Sequence, residues 1–210
     1  MNKNTLLFER YETQALVWPR SGRHILAQFD DDTIVVYQAY RPEIGHFAAQ
    51  NGRFGGAFSF ARMTWIKPNF LWMMYRSGWG QKPVQEVTLA LRLTRAGFEW
   101  LLAEAVPSSY APDAYATEAD WQAAVRRSSV RLQWDPDHSP SGAPLERRAI
   151  QLGIRDAALT RMTDEFIVSI TDVSDFVASQ RGAPLDALEL PRERVYPLPA
   201  PLVAHLGASG

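Results

Sequence analysis

The sequence predicts an α+β fold, a single domain with a mixed, twisted sheet and helices packed on its faces. Three features carry that expectation. Thr33-Ile34-Val35-Val36-Tyr37 is a β-branched and aromatic run that suits a strand in a sheet centre. Val84 to Leu93 alternates as a strand and leads into Thr94, an N-cap for a helix whose Phe98, Leu101, Leu102 and Ala105 recur at helical spacing. Strand-like and helix-like segments then interleave as far as about Ala178, with no internal repeat or second domain.

The remaining elements follow in order. Pro42 suits the first turn of a helix over Glu43 to Gln50, and Asn51-Gly52 ends it. Arg53 to Gly56 reads as a glycine-rich turn, and Phe58 to Trp65 as a short strand or extended segment. Lys67-Pro68-Asn69 opens an apolar helix, Phe70 to Arg76, which Ser77-Gly78 closes. Thr117-Glu118-Ala119-Asp120 begins a capped helix that runs to about Arg127, and Val130 to Trp134 suits a strand. Asp135 to Pro144 is expected as a polar loop, then Ala149 to Ile154 as a strand. A helix over Asp156 to Met162, a strand over Phe166 to Ile170 and a helix capped by Asp172 complete the body. The segment 183–210 is expected as an extended strap, because the spaced prolines of Val195 to Pro201 fix φ and remove donors.

Composition narrows the function classes. With no cysteine there are no disulfides, thiolate nucleophiles or Cys-ligated zinc, and His24, His46, His138 and His205 lack metal-ligand spacing, so no metal is expected. No run approaches the ~18 apolar residues of a membrane span, and the N-terminus, charged at Lys3, Glu9, Arg10 and Glu12, does not suit a signal peptide. A cytoplasmic protein is expected. The net charge of −1 argues against a domain that is basic all over, so any anion site must be local.

Such a local excess exists. Between Arg41 and Arg95 there are eight basic residues and only two acids, Glu43 and Glu86, a net of +6 in a chain of −1. Arginine supplies a planar fork that matches phosphate and carboxylate, and the chain has nineteen arginines against three lysines. The same stretch holds Trp65, Trp72 and Trp79, seven residues apart, which either pack in the core or offer a ring on which a base stacks. Arg53-Phe54-Gly55-Gly56 is not followed by Gly-Lys-Ser/Thr, and neither G-x-G-x-x-G nor G-x-S-x-G occurs, which removes P-loop and Rossmann readings and weakens a serine hydrolase. Glu86 and Glu146 each stand at the start of a strand, where a carboxylate can stabilise an oxocarbenium ion or pair with an arginine.

Tyr37-Gln38-Ala39-Tyr40-Arg41-Pro42, the block Arg62 to Trp79, and Glu146-Arg147 with Ile150-Gln151-Leu152-Gly153 resemble the family catalogued as domain of unknown function 4291. That resemblance implies a cytosolic single-domain protein. A fainter likeness is to ADP-ribosyltransferase folds, in which a strand ends in an Arg or His that holds NAD, a Ser or Thr follows near an aromatic, and a glutamate begins a later strand. Here Arg41, Ser59 and Thr64, and Glu146 stand in that order, without a compact Ser-Thr-Ser motif or a Glu-x-Glu triplet.

The likeness implies an NAD-consuming ADP-ribosyl-type transferase, with NAD as substrate. Arg41 would hold a phosphate or ribose, Ser59 or Thr64 would orient the nicotinamide side, Trp65 or Tyr75 would stack, and Glu146 would steady the cationic sugar; Arg62 and Arg76, from the same basic stretch, join the expected cofactor-binding residues. The alternatives are a non-catalytic module that binds nucleic acid or a nucleotide through the same basic, aromatic segment, and a structural protein whose arginines are solvated.

Overall fold

The computed structural model describes residues 5–209, so Lys3 lies outside it. Along the chain run β1 (Phe8–Arg10), α1 (Tyr11–Ala15), β2 (Gly22–Arg23), β3 (Leu26–Ala27), β4 (Thr33–Tyr40), α2 (Pro42–Asn51), β5 (Thr64–Ile66), α3 (Phe70–Ser77), β6 (Val87–Thr94) and α4 (Arg95–Ala103). Then come β7 (Ala105–Pro107), α5 (Glu118–Arg127), β8 (Val130–His138), β9 (Pro144–Ile154), α6 (Asp156–Arg161), a π-helical turn (Met162–Phe166), β10 (Ile167–Asp172), α7 (Ser174–Gln180), β11 (Glu189–Pro191), β12 (Arg194–Val195) and α8 (Ala200–Leu206).

The expected single α+β domain is what forms, with its strands divided between two main sheets. One has the antiparallel order β10-β6-β4. The other is mixed: β9 pairs antiparallel with β8 and β5 and parallel with β2, while β7 runs parallel to β8. Two short ribbons, β1-β11 and β3-β12, complete the strands. β4 therefore ends a sheet rather than centring it, and the central strand of three is β6.

Alternation explains how the layers stack, since successive strand side chains leave on opposite faces. Ile34 and Val36 of β4, with Leu89, Leu91 and Leu93 of β6, enter a core shared with Val130, Leu132, Leu152 and Ile154 of the mixed sheet and Phe98, Leu101 and Leu102 of α4. Val35, Tyr37 and Ala90 point the other way, into a second core with Phe70, Leu71, Met73 and Met74 of α3 and Val177 of α7.

Local signals place the helix ends. Thr94 accepts from Gly97 N at 3.1 Å, Thr117 from Asp120 N at 3.1 Å, and Asn69 from Trp72 N at 2.7 Å, each satisfying a donor that the first turn leaves free. Asp172 Oδ1 accepts from Ser174 N at 2.9 Å at the start of α7. Gly78 closes α3 at φ +58°, a left-handed angle that suits glycine.

Three further expectations need correction. Asp135 to Pro144 is mostly strand: β8 continues to His138 and β9 begins at Pro144, leaving a tight turn in which Ser139 N reaches Ala143 O at 2.9 Å. Pro136 is tolerated because the register shifts between Pro136 and His138, where a ladder donor is dispensable. Of Phe58 to Trp65 only the last two residues are strand; Phe60 and Ala61 form a turn and the other four are irregular. The 183–210 segment is not extended throughout, since Ala200–Leu206 is a helix with Pro201 in its first turn, a place where proline's missing N–H costs nothing. No helix among the described residues is long and apolar enough to cross a membrane.

Candidate functional site

The site is built where β4, β5 and α3 meet the β8-β9 hairpin. Trp65 and Lys67 are two residues apart on extended chain and so face one side, while Ile66 between them is fully buried in the core. The main chain of Lys67 is pinned to β4 by a reciprocal pair of hydrogen bonds, Tyr37 N to Lys67 O at 2.7 Å and Lys67 N to Tyr37 O at 3.1 Å. The next turn starts α3, whose entry angle is held by Asn69 and by the buried Glu193. The Glu193 carboxylate accepts from Phe70 N at 2.7 Å and from Asn69 Nδ2 at 3.2 Å. Arg76 therefore projects from the last turn of a helix fixed at its first. Lys82 donates to Arg76 O at 2.8 Å and satisfies a carbonyl at the helix end.

These elements surround a cavity of about 540 Å³, lined by Arg62, Lys67 and Arg76, by Gln38, Gln85, Gln133 and Gln151, and by Tyr40, Thr64, Trp65 and apolar neighbours. Its lining holds three cations and no carboxylate. A second lobe of about 400 Å³ shares Tyr40, Arg62, Met63 and Thr64 with the first and adds Arg41, Ser59, Phe58 and Val84. Among the described residues, the side chains of Arg62, Lys67 and Arg76 have no hydrogen-bond or ion-pair partner; Arg76 lies 6.0 Å over the Trp72 ring.

Lys67 is the unusual member. It is 6% exposed, and burial pushes its ammonium down to about 8, Arg76 adding to the fall and Asp135 opposing it. Asp135 is itself engaged: Gln151 Nε2 donates to its Oδ2 at 2.7 Å and to Gln133 Oε1 at 2.7 Å. On the β4 side, Gln38 Nε2 donates to Thr64 Oγ1 at 2.8 Å, and the Tyr40 hydroxyl bonds the same oxygen. Burial raises the Tyr40 phenol, with Thr64 pulling the other way, so it remains neutral. Gln38 is 2% exposed, and its Oε1 has no partner among the described residues. Unpaired cations and a buried unpaired amide oxygen in one cavity can receive an anion that carries its own donors.

Of the residues singled out from sequence, Arg41, Ser59, Arg62 and Thr64 line the smaller lobe, and Arg62, Thr64, Trp65 and Arg76 the larger. Arg41 is partly drawn off by Glu43, at 3.5 Å. Tyr75 lines neither lobe; it stacks on His138 with centroids 3.5 Å apart, at the hairpin. Glu146 also lines neither. It is an exposed residue near the hairpin end of β9, five residues and so ~17 Å along the strand from Gln151. Its neighbour Arg147 is the buried one, bonded to Asp137 through Nε at 2.8 Å and Nη2 at 2.5 Å. Glu86 turns back to accept from Val84 N at 3.0 Å. The three tryptophans sit in different settings: Trp65 is on β5, Trp72 inside α3, and Trp79 beyond its cap at φ +55°.

From sequence Lys67 is only one of the eight basic residues of the stretch, and Gln133 and Gln151 are not singled out as cavity residues. One signal for Lys67 was present: in a chain of nineteen arginines and three lysines, a lysine inside an apolar segment keeps a side chain that can lose its proton, which arginine does not. The glutamines carry no such mark, because their convergence depends on register across β8 and β9, where Gln133 stands opposite Gln151.

Residues 24–196 match the model of a family described as Domain of unknown function (DUF4291), a span that contains every residue lining the cavity. No curated protein matches the chain. The chain belongs to the DUF4291 family.

Proposed function

We propose that the two-lobed cavity binds a phosphate-bearing nucleotide. One observation carries this reading: Arg62, Lys67 and Arg76 line one cavity, unpaired among the described residues, with no carboxylate in its lining. Forked guanidiniums and an ammonium are the donors that phosphate oxygens take best. Trp65, half-buried in the wall, offers a face for a base, and the four glutamine amides offer both donors and acceptors to a base edge. The two lobes together suit a ligand larger than a free phosphate.

NAD belongs to this ligand class and is one of the first compounds to try, alongside AMP, ADP-ribose and pyrophosphate. Glycosyl transfer assisted by Glu146 is not part of the proposal, because that carboxylate stands away from the cavity. The test is calorimetric titration of the full chain with these four ligands at low and moderate salt. Binding by at least one nucleotide, weakened by salt and by Arg62→Ala or Arg76→Ala, supports the reading. Titrations without heat for all four at millimolar concentration would remove it.

A further inference from the structure

We infer that Lys67 is a nucleophilic amine that captures a phosphate-bearing aldehyde as an imine within this cavity. The inference rests on the nucleotide-phosphate reading for recognition and adds a covalent step to it. The ligand class is an open-chain sugar phosphate or a nucleotide that ends in a reducing ribose, such as ADP-ribose.

Four observations converge on the amine. Its main chain is pinned to Tyr37 by two hydrogen bonds, so the side chain is presented from a rigid strand. Its residue is 6% exposed and yet lines the cavity, so a ligand in the cavity can meet it. Among the described residues no carboxylate is ion-paired to it; Asp135, on β8, is taken up by Gln151. Two guanidiniums share the cavity, ready to hold a phosphate while the amine meets the carbonyl.

The groups facing Lys67 also set its charge. Burial lowers the ammonium first, Arg76 from α3 lowers it further, and Asp135 raises it, giving about 8. Arg62 faces the same cavity from the turn before β5, and Tyr40 from β4 is neutral. At pH 7 such an amine is in its free-base form roughly three hundredfold more often than an ordinary lysine.

The step balances without an oxidant or a metal. The Nζ lone pair attacks the carbonyl carbon, the C=O π pair moves to oxygen, and a proton passes from nitrogen to that oxygen. The carbinolamine then loses its hydroxyl as water with one further proton, and the nitrogen lone pair closes C=N. That further proton leaves the nitrogen, and the hydroxyls of Tyr40 and Thr64, bonded to each other in the cavity wall, can relay it to the departing oxygen, each giving one proton and taking one.

The test is reductive trapping on the full chain. Pyridoxal 5′-phosphate or ADP-ribose is mixed with the protein and cyanoborohydride, and the adduct is located by peptide mass mapping; pyridoxal and ribose serve as phosphate-free controls. We expect one dominant adduct at Lys67, formed at least about tenfold faster than at the exposed Lys82 and suppressed by excess AMP or pyrophosphate. It should be absent from Lys67→Arg and unchanged in Glu146→Gln, with melting curves confirming that both variants fold. The rate should rise with pH through a midpoint below the ordinary lysine range. Equal labelling of Lys82, or equal reaction with the phosphate-free aldehydes, overturns the inference. A parallel titration with pyrophosphate separates the two failures: binding without a Lys67 adduct sinks only the imine, whereas absence of both sinks the phosphate site as well.

Discussion

Gln151 Nε2 donates to Asp135 Oδ2 at 2.7 Å, and that bond ties the one acid that raises Lys67 to a neutral amide on the facing strand. Lys67 is left as a buried cation whose compensation is incomplete, which is the condition that a ligand anion relieves.

Asp135→Asn should make this plain. Asp135 is the one cause that raises Lys67, so its neutralisation lowers the ammonium further below about 8. The pH midpoint of reductive labelling at Lys67 therefore moves to lower pH in the variant. A midpoint that stays put or rises would show that Asp135 does not act on the amine.

Lys67→Met should stabilise the fold near neutrality while abolishing the adduct. The folded-state value of about 8 lies below the ordinary 10.5, so the penalty of holding a buried charge is fully present below pH 8. It vanishes as pH rises through 10.5, where the amine is neutral in both states. From that shift the gain at pH 7 is about 3 kcal/mol. Urea denaturation at pH 7 and pH 10.5 reads it; a variant that is less stable at pH 7 contradicts a strained lysine.

Arg62→Ala and Arg76→Ala should each weaken pyrophosphate binding by about tenfold or more, the scale of a lost charge-assisted hydrogen bond. Neither guanidinium has a polar partner among the described residues, so folding stability should change by less than about 0.5 kcal/mol. Calorimetry and thermal melts on the same samples separate the two effects.

Arg147 and Asp137 form a second, structural feature. Both are buried, Arg147 also donates to Pro19 O at 2.6 Å, and its guanidinium lies 5.3 Å over the Trp18 ring. Arg147→Met leaves the buried Asp137 without its counter-charge, with only the hydrogen bond from His138 N at 2.7 Å, and should cost about 3–5 kcal/mol. Joining it with Asp137→Leu should recover much of that loss, since an apolar pair needs no compensating charge. A double mutant no more stable than the single would show that the surrounding polar groups need the pair.

Val84 stands at φ +63° on the rim of the smaller lobe, 63% exposed, in a conformation that a β-branched residue adopts only under strain. Val84→Asn should add about 1 kcal/mol of stability, readable as a shift in the denaturation midpoint. A loss instead would mean that the isopropyl group packs against something that offsets its backbone.

What the sequence by itself determined lies within a few residues of its own signals. The caps at Asn69, Thr94 and Thr117 sit where side-chain oxygens meet amides three residues on, a contact that needs no tertiary partner. The α+β class and the positive charge of residues 41–95 follow from composition and alternation. The division of the strands into two sheets was decided by packing: Ile34 and Val35 look alike in sequence, yet face different cores. The same holds for Glu146 and Arg147. Alternation sends adjacent strand residues to opposite faces, but only the fold decides which face meets water, and here it buries the arginine against Asp137 and exposes the glutamate. The cavity is a tertiary product in the same sense. Lys67, Gln133 and Gln151 meet because long-range pairing brings β4, β5, β8 and β9 together, and pairing between distant strands leaves no local trace in the chain.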